Sequence, residues 1–284
     1  MKTPLRYPGG KSRVAEYLVS LFPEYRDYRE PFLGGGSVFL EAIEKRPDVL
    51  YTVNDLYYDL YCFWKSMMES PKSTVTEVKR IKDMYTDGKV LYSKMMSDMS
   101  TDREYGKTID VAAEFFVLNR ITFSGTSLSG GYSDESFRKR FTESSVERLG
   151  EMGKFLEGKG NVSVCNLDFS VILDMEVYDP NLTFAFLDPP YYSAEDSALY
   201  GRNGDKHKGF DHERLKKCLD NCKYKWLMTY DDCGYIRNLY KDYNVREFEF
   251  SYGMRNAGGG NDMKGKELLI SNYDISERKS VELF

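Results

Sequence analysis

The pattern of apolar and polar residues divides the chain into two kinds of region. Short apolar segments of strand length occur towards both ends, as in "DVLYTVNDL" at 48–56 and "LTFAFLD" at 182–188. Helical spacing separates several of them, as in "SRVAEYLVSLF", where Val14, Leu18 and Leu21 recur at intervals of four and three. Strands that alternate with helices predict an α/β fold with a mostly parallel, Rossmann-like sheet.

The middle of the chain breaks this alternation. Helical periodicity runs from about residue 56 to 118, and the Gly/Ser-rich stretch "RITFSGTSLSGGYSDESF" at 120–137 follows as a predicted long loop or hairpin. Strand patterns return at "NVSVCNLDF", "KWLMTY", "VREFEFSY" and "KELLISNY". We therefore predict one domain formed by 1–59 and 160–284, interrupted by a mostly helical insertion at 60–159 that has its own task.

Composition narrows the class of protein. With 284 residues, 41% of them hydrophobic, the chain can bury a full core, and no apolar run approaches the ~18 residues of a membrane span. The start "MKTPLRYPGGKSR" lacks the apolar stretch of a signal peptide, so a cytoplasmic protein is expected. Five scattered cysteines and two histidines argue against a disulfide framework, a metal centre and a Ser-His-Asp triad.

The net charge of −5 argues against a uniformly basic coat but leaves room for local basic patches. One is "SFRKRF" at 136–141, and the segment 202–225 is another. Such patches suit phosphate contacts, in which case binding to DNA should weaken steeply with salt. The alternative is that Arg138 and Arg140 only pair with nearby acids such as Asp134 and Glu135.

A glycine loop followed by an acid predicts a ligand site. Gly34 to Gly36 lie between a predicted strand and a predicted helix, and Asp55 follows 19 residues after Gly36 at a strand end. This arrangement suits an adenosine-containing cofactor whose ribose binds the acid, although a plain structural turn is an alternative for the glycines. Phe39 stands where a dinucleotide fingerprint needs its third glycine, which disfavours a pyrophosphate turn.

The segment "DPPY" at 188–191 ends an apolar strand. Each proline restricts the preceding residue to extended geometry, which fixes the Asp188 carboxylate and the Pro189 carbonyl as two acceptors. An exocyclic amino group of a base has two hydrogens for them. Holding both hydrogens favours a pyramidal nitrogen whose lone pair points at an electrophile, and Tyr191 offers a face for stacking.

Taken in order, "YPGGK", "EPFLGGGSVF", "ND" at 54–55, "NLDF" and "FLDPPYY" resemble the Dam-like, D12 class, alpha group of DNA adenine N6-methyltransferases. The resemblance spans nearly the whole chain. It implies a Rossmann-like seven-stranded methyltransferase sheet with a mostly helical target-recognition insertion. It also implies S-adenosyl-L-methionine as cofactor, duplex DNA as partner, no metal, no membrane, and methyl transfer to N6 of a flipped-out adenine.

The resemblance also implies residue roles. Catalysis falls to Asp188, Pro189, Pro190 and Tyr191. Cofactor contacts fall to Tyr7, Lys11, Pro31, Phe32, Gly34, Gly35, Gly36, Ser37, Asn54, Asp55, Asp168, Phe169 and Asp188. Contacts with DNA, or support of the active site in the case of the first two, fall to Asn119, Arg120, Arg138, Lys139 and Arg140.

Several alternatives stay open. The segment "TFSGTSLSGGYSDESFRKRF" departs from the Asn-Gly-Leu-x-Arg pattern of GATC-specific relatives, so a GATC site is not supported. "MTYDD" also differs from the family's usual Ser-Asn pattern at that strand end. The same chemistry could act on N4 of cytosine or on RNA, and a cognate restriction endonuclease is a candidate separate partner. A nicotinamide-dependent oxidoreductase would suit the glycine loop but leaves "DPPY" unexplained.

Overall fold

The computed structural model describes residues 1–125, 130–192, 209–251 and 264–275. Within these ranges seven strands form one sheet: β1 Asp27–Glu30, β2 Leu50–Asn54, β3 Val162–Cys165, β4 Thr183–Leu187, β5 Lys225–Asp231, β6 Asn244–Ser251 and β7 Lys264–Ser271. The helices of the described part are α1 Ala15–Ser20, α2 Ser37–Lys45, α3 Tyr58–Glu69, α4 Pro71–Met84, α5 Gly88–Glu104, α6 Thr108–Ile121, α7 Asp134–Arg140, α8 Glu143–Leu156, α9 Phe169–Asp174, α10 His212–Asp220 and α11 Gly234–Leu239.

The strand order is β3-β2-β1-β4-β5-β7-β6. The first five strands in that order pair in parallel, and β7 runs antiparallel to both of its neighbours. The chain moves outward from β1 to β3 and then crosses back to β4 beside β1. This reversal is the point of an open α/β sheet where ligands bind, at the carboxyl ends of the strands.

Alternation of side chains along the strands produces two hydrophobic cores. Phe184 and Phe186 of β4 join the larger core, whereas Ala185 and Leu187 face the smaller one. All five residues of β4 are buried, as expected for a parallel strand covered on both faces. The expected seven-stranded α/β sheet is therefore confirmed, as is each predicted strand.

Six helices, α3 to α8, lie between β2 and β3, where the sequence predicts the insertion. Side chains of these helices belong to the same core as one face of the sheet. The Nε1 atom of Trp64 on α3 donates to the carbonyl of Gly34 over 3.0 Å, which ties this helix to the glycine loop. The boundaries at 60 and 159 stay a prediction.

The predicted loop at 120–137 is partly helical. Thr122 forms an isolated antiparallel bridge with Tyr132, in keeping with a hairpin, and residues 126–129 lie outside the described part. The prediction was wrong for its last residues, because α7 begins at Asp134. The Ser133 hydroxyl caps this helix by accepting from the Ser136 amide over 3.1 Å, a local bond that overrides the loop-like composition.

None of the helices in the described ranges has the length and apolar character needed to cross a bilayer.

Candidate active site

A cleft of about 590 Å³ opens at the carboxyl ends of β1, β2 and β4. Its volume lies in the usual range for a small-molecule site. It lies where the strand order reverses, and it brings together motifs that are far apart in the sequence. All residues that the sequence predicts for cofactor binding or catalysis line it: Tyr7, Lys11, Pro31, Phe32, Gly34, Gly35, Gly36, Ser37, Asn54, Asp55, Asp168, Phe169, Asp188, Pro189, Pro190 and Tyr191.

The glycine loop lies against an aromatic ring. A Cβ atom on Gly34 would come within 2.9 Å of the Tyr7 ring, and one on Gly36 would come within 2.2 Å of Trp64. Both glycines also have positive φ angles, of 50° and 67°. Glycine is therefore needed here for backbone conformation and for space, and the Tyr7 ring forms one wall of the cleft.

Asp55 stabilises the same loop. One of its oxygens accepts from the Gly34 amide and the other from the Tyr57 amide, each over 2.9 Å. Asn54 is buried and bridges neighbouring segments, since its side-chain amide donates to the carbonyls of Pro31 and Leu167. The side chains of Asp55 and Asn54 thus fix backbone segments at the rim of the cleft, where the sequence predicts these two residues.

An aromatic pocket forms one end of the cleft. The rings of Phe32, Phe169 and Phe210 lie 5.6 to 5.7 Å apart, and the Arg214 guanidinium lies over Phe169 at 4.7 Å. Arg214 also forms an ion pair with Asp168. Burial acts to raise the pKa of Asp168, but hydrogen bonds from Arg214 and Ser170 outweigh it and lower this pKa. The pocket therefore combines apolar faces with one fixed carboxylate.

The Asp188 carboxylate is held by hydrogen bonds from several elements. Lys11 Nζ lies 2.9 Å from each of its oxygens and 2.9 Å from the Tyr191 hydroxyl. Thr229 on β5 donates to the same carboxylate over 2.7 Å. Lys11 is only 3% exposed and also lies 3.7 Å from a carboxylate oxygen of Glu267 on β7. A cation from the start of the chain thus compensates acids from two strands.

Glu30, at the end of β1, is a further buried acid that lines the cleft. Burial raises its pKa well above the usual range, and the nearby carboxylates of Asp188 and Asp55 raise it further. The Tyr28 hydroxyl donates to Glu30 over 2.6 Å and opposes this rise. Burial and the neighbouring negative charges thus both favour the protonated form of this carboxyl.

The predicted DNA-contacting residues lie outside this cleft and differ among themselves. Asn119 is fully buried, and Arg120 is 4% exposed. Arg138 and Lys139 are exposed and pair with Asp134 and Glu135 one turn earlier on α7. Arg140 is exposed and forms no ion pair within the described part of the chain, although its charge also acts on Glu135. Of the basic segment 202–225, residues 202–208 lie outside the described residues.

The D12 class N6 adenine-specific DNA methyltransferase family matches residues 7–254 of the chain. The chain belongs to this family. It is a DNA adenine methyltransferase, and the match includes every motif that lines the cleft.

Named relatives agree with this assignment. The methyltransferase is 23% identical to Type II methyltransferase M1.LlaDCHI of Lactococcus lactis subsp. cremoris, over 94% of each chain. It is 24% identical to Type II methyltransferase M.CviBI of Paramecium bursaria Chlorella virus NC1A, over 96% of this chain and 100% of that protein. It is 25% identical to the DNA N-6-adenine-methyltransferase of Escherichia phage P1, over 85% of this chain and 31% of that protein.

Sequence reasoning missed several residues in and around the methyltransferase cleft. Glu30, Phe210 and Arg214 line it, whereas Thr229 and Glu267 are buried behind it and contact Asp188 and Lys11. Glu30 directly precedes Pro31 in the motif "EPFLGGGSVF", so its position at a strand end could have predicted that it lines the cleft. Thr229 lies in the "MTYDD" stretch, where the departure from the family pattern was visible but its contact with Asp188 was not. The other three follow only from packing.

Proposed function

We propose that this methyltransferase transfers a methyl group from S-adenosyl-L-methionine to N6 of an adenine turned out of duplex DNA, with the chemistry at Asp188 to Tyr191. The observation that carries the proposal is the position of the Asp188 carboxylate, fixed at the end of β4 where the strand order reverses and beside the glycine loop. A single cleft thus adjoins both a cofactor cradle and an acceptor for an amino group.

The residues present fit the cofactor. Tyr7 packs directly on Gly34 and Gly35, where a Cβ atom would clash with it, so the aromatic ring and the glycine backbone form one wall of the cleft against which a ligand chain can lie. The aromatic pocket of Phe32, Phe169 and Phe210 suits an adenine ring. Asp55 would accept from ribose hydroxyls, and the acids around Glu30 would favour the positive charges of the methionine part.

When bound, the cofactor supplies an electrophilic methyl group on a sulfonium. Asp188 and the Pro189 carbonyl would accept the two hydrogens of the adenine amino group and hold its nitrogen pyramidal, while Tyr191 stacks on the base. Held in this way, the nitrogen lone pair would accept the methyl group, and the electrons of the former C–S bond would stay on sulfur. The nitrogen then loses one proton towards the Asp188 side of the cleft.

Lys11 has to move in this scheme. Its ammonium bonds both oxygens of Asp188 and the Tyr191 hydroxyl, which are the groups that the base would use. At least one carboxylate oxygen must be released before the amino group can bind there. Lys11 would then turn towards the cofactor side, where Gly9 O already accepts from it over 3.0 Å.

We further propose that the two regions predicted from the sequence have separate functions. Residues 1–59 and 160–284 would bind the cofactor and catalyse, and residues 60–159 would recognise DNA. Action on DNA places the enzyme with the nucleoid in the cytoplasm. A cognate restriction endonuclease as separate partner stays a prediction, and the two relatives named Type II methyltransferases support it.

Transfer of labelled methyl groups from S-adenosyl-L-methionine to duplex DNA, followed by digestion to nucleosides, tests the proposal. N6-methyladenosine in its deoxy form is the expected product. N4-methylcytosine, a modified RNA base, or tight binding of NAD in place of the methyl donor would contradict it. Expression in cells without adenine methylation, with single-molecule sequencing, would map the recognition site from the same reaction.

Calorimetry tests the cofactor half separately. Asp55→Asn should weaken binding of S-adenosyl-L-methionine by about tenfold or more, because a neutral amide accepts hydrogen bonds from ribose less well and loosens the glycine loop. Asp83→Asn, which changes an exposed acid on α4, is the matched control and should bind as the wild type does. Equal weakening in both variants would remove the specific role of Asp55.

A further inference from the structure

Four arginines from separate segments lie near one another. Arg6 precedes the Tyr7 turn, Arg120 lies in the last turn of α6, Arg140 ends α7 and Arg148 lies within α8. Across the ranges that the structure describes, none of the four forms an ion pair with an acidic side chain. Arginines without counter-charges in such proximity are unusual in a folded chain.

Asn119 fixes two of them relative to each other. Its Oδ1 atom accepts from the Arg6 backbone amide over 3.0 Å and from the Arg120 guanidinium over 2.9 Å. Its Nδ2 group donates to the carbonyls of Arg6 and Gly125 over 2.7 and 2.8 Å. A fully buried amide therefore holds the N-terminal segment and the end of α6 together.

The side chain of Arg6 extends this arrangement to α7. It donates to the Thr122 carbonyl over 3.1 Å and to the Ser136 hydroxyl over 3.4 Å. Ser136 and Arg140 are four residues apart on α7 and so share one face of that helix. Arg140 consequently lies on the side of α7 that Arg6 contacts.

The charges of the cluster act on one another. Burial, followed by the proximity of Arg6, Arg148 and Arg140, lowers the pKa of Arg120 to about 9. Burial and Arg140 also lower the pKa of Arg6. Arg120 is 4% exposed and its Nε atom has no hydrogen-bond partner in the described part of the structure. A like-charge cluster with a buried, incompletely bonded guanidinium is stabilised by an anion that joins it.

Arg138 and Lys139 provide the internal comparison. They are adjacent to Arg140 in the sequence, yet each pairs with an acid four residues earlier, over 3.0 and 2.9 Å. The helical turn thus divides the basic run. Arg138 and Lys139 form ion pairs on α7, whereas Arg140 faces the other arginines.

We propose that Arg6, Arg120, Arg140 and Arg148 form an anion site that binds a backbone phosphate of the DNA duplex. The identity of the anion rests on the proposed function. Guanidinium groups form paired hydrogen bonds with phosphate oxygens, and contacts of this kind set the position of a protein on a duplex without reading its sequence. Arg140 and Arg148 are exposed and would contact the phosphate, and buried Arg120 would add charge from behind.

The site also has a connection with the cleft. Arg6 is followed directly by Tyr7, whose ring lies against Gly34 and Gly35. A phosphate held by Arg6 would therefore fix the duplex relative to the segment that walls the cofactor cleft. This places one fixed point of the duplex next to the catalytic end of the sheet.

Equilibrium binding of a duplex oligonucleotide across a salt series tests the proposal. The double variant Arg140→Gln, Arg148→Gln should reduce the slope of log K against log salt by about 1 to 2 and weaken binding about tenfold or more at low salt. The matched control, Arg138→Gln, Lys139→Gln, removes the same number of charges from the neighbouring surface. It should lower the slope by less than half as much, because its residues are already paired.

Equal slopes for the two double variants would overturn the phosphate site while leaving the proposed function intact, provided that the wild type methylates the duplex. A wild type that binds S-adenosyl-L-methionine but neither binds nor methylates duplex DNA would overturn both. A second series places a neutral methylphosphonate at successive positions of a duplex that carries the mapped site. One position should weaken binding of the wild type and not of the Arg140→Gln, Arg148→Gln variant, and the absence of any such position would also contradict the proposal.

Discussion

The cofactor cleft and helix α6 differ in whether a buried charged side chain has a partner of opposite charge. In the cleft, one lysine lies within bonding distance of the Asp188 carboxylate and near Glu267, so charges of opposite sign meet. On α6, Glu114 and Arg120 are both buried, and the charges that act most strongly on each of them have the same sign as its own. Lys11 thus gives Asp188 a direct counter-charge, whereas neither of the two α6 residues forms an ion pair in the described part of the chain.

Glu114 and Arg120, the two buried charged residues of α6, differ in whether the side chain can become neutral. Burial, followed by Asp102 and Asp98, raises the pKa of Glu114 to about 9, so this carboxyl becomes neutral by holding a proton. Arginine retains its charge at neutral pH and has no such route. An external anion would compensate the arginine cluster further, which links this difference between the regions to the DNA contact proposed above.

The largest expected effect is on the rate of methyl transfer and comes from a change of Asp188 in the cleft. Asp188→Asn keeps the shape of the side chain but weakens its acceptor strength, so methyl transfer to duplex DNA should fall by about 10²–10³-fold or more. Initial rates with labelled methyl donor measure this, and circular dichroism checks the fold. Asp220→Asn, an exposed acid paired with Lys216, is the control. Unchanged transfer by the Asp188 variant would remove it from the mechanism.

The variant Lys11→Met tests whether Lys11 compensates the charges of Asp188 and Glu267. Loss of the buried cation leaves Asp188 and Glu267 without their lysine partner, and the free energy of unfolding should fall by about 2 kcal/mol or more. Urea denaturation gives the value. Lys45→Met removes a lysine that also contacts two acids but is 43% exposed, and it should cost less than about 0.5 kcal/mol. Similar losses in both would mean that burial of the pair does not matter.

Glu114, in the middle of α6, predicts a pH dependence of the free energy of unfolding. The pKa of Glu114 rises from 4.5 to about 9 on folding, so the stability associated with its protonated form is complete below about pH 4.5 and is lost as the pH rises towards 9. Glu114→Gln keeps a donor for Asp102 and should be more stable than the wild type at pH 8, by about 1 kcal/mol. Denaturation at pH 5, 7 and 9 measures this.

Glu151→Gln, at an exposed position of α8, should show the wild-type pH dependence. A Glu114 variant that follows the wild-type curve at every pH would mean that this carboxyl is ionised in the folded chain.

The smallest effect is expected for the stability of Arg140→Gln in the absence of DNA. Arg140 forms no ion pair in the described structure, and repulsion from Arg6 and Arg120 opposes its attraction to Glu135. The melting temperature of the variant should therefore equal or slightly exceed that of the wild type. Arg103→Gln is the contrast, since Arg103 pairs with buried Asp59 and its loss should lower the melting temperature clearly. A drop of similar size in both would show that Arg140 is already compensated.

Much of the fold and the cleft could be predicted from local patterns. Strand-length patterns identified six of the seven strands, and β1, whose sequence DYRE is not an apolar run, was expected from its place before the glycine loop. The glycine loop and "DPPY" were placed correctly because turn residues act over a few positions. The basic run at 138–140 was treated as one unit, and the helical register of α7 then divided it. The helix was missed because Ser133 and the acids after it start a helix inside a Gly/Ser-rich stretch.

The sequence by itself determined which chemical groups are present, where strands end, and where the backbone needs glycine, since these depend on residues adjacent along the chain. Only the tertiary structure decided which charges meet. Lys11 reaches Asp188 across 177 positions, and Arg6 reaches Asn119 across 113. Electrostatic energies depend on distance through space and on exclusion of water, and both are set by the packing of elements that are remote in sequence.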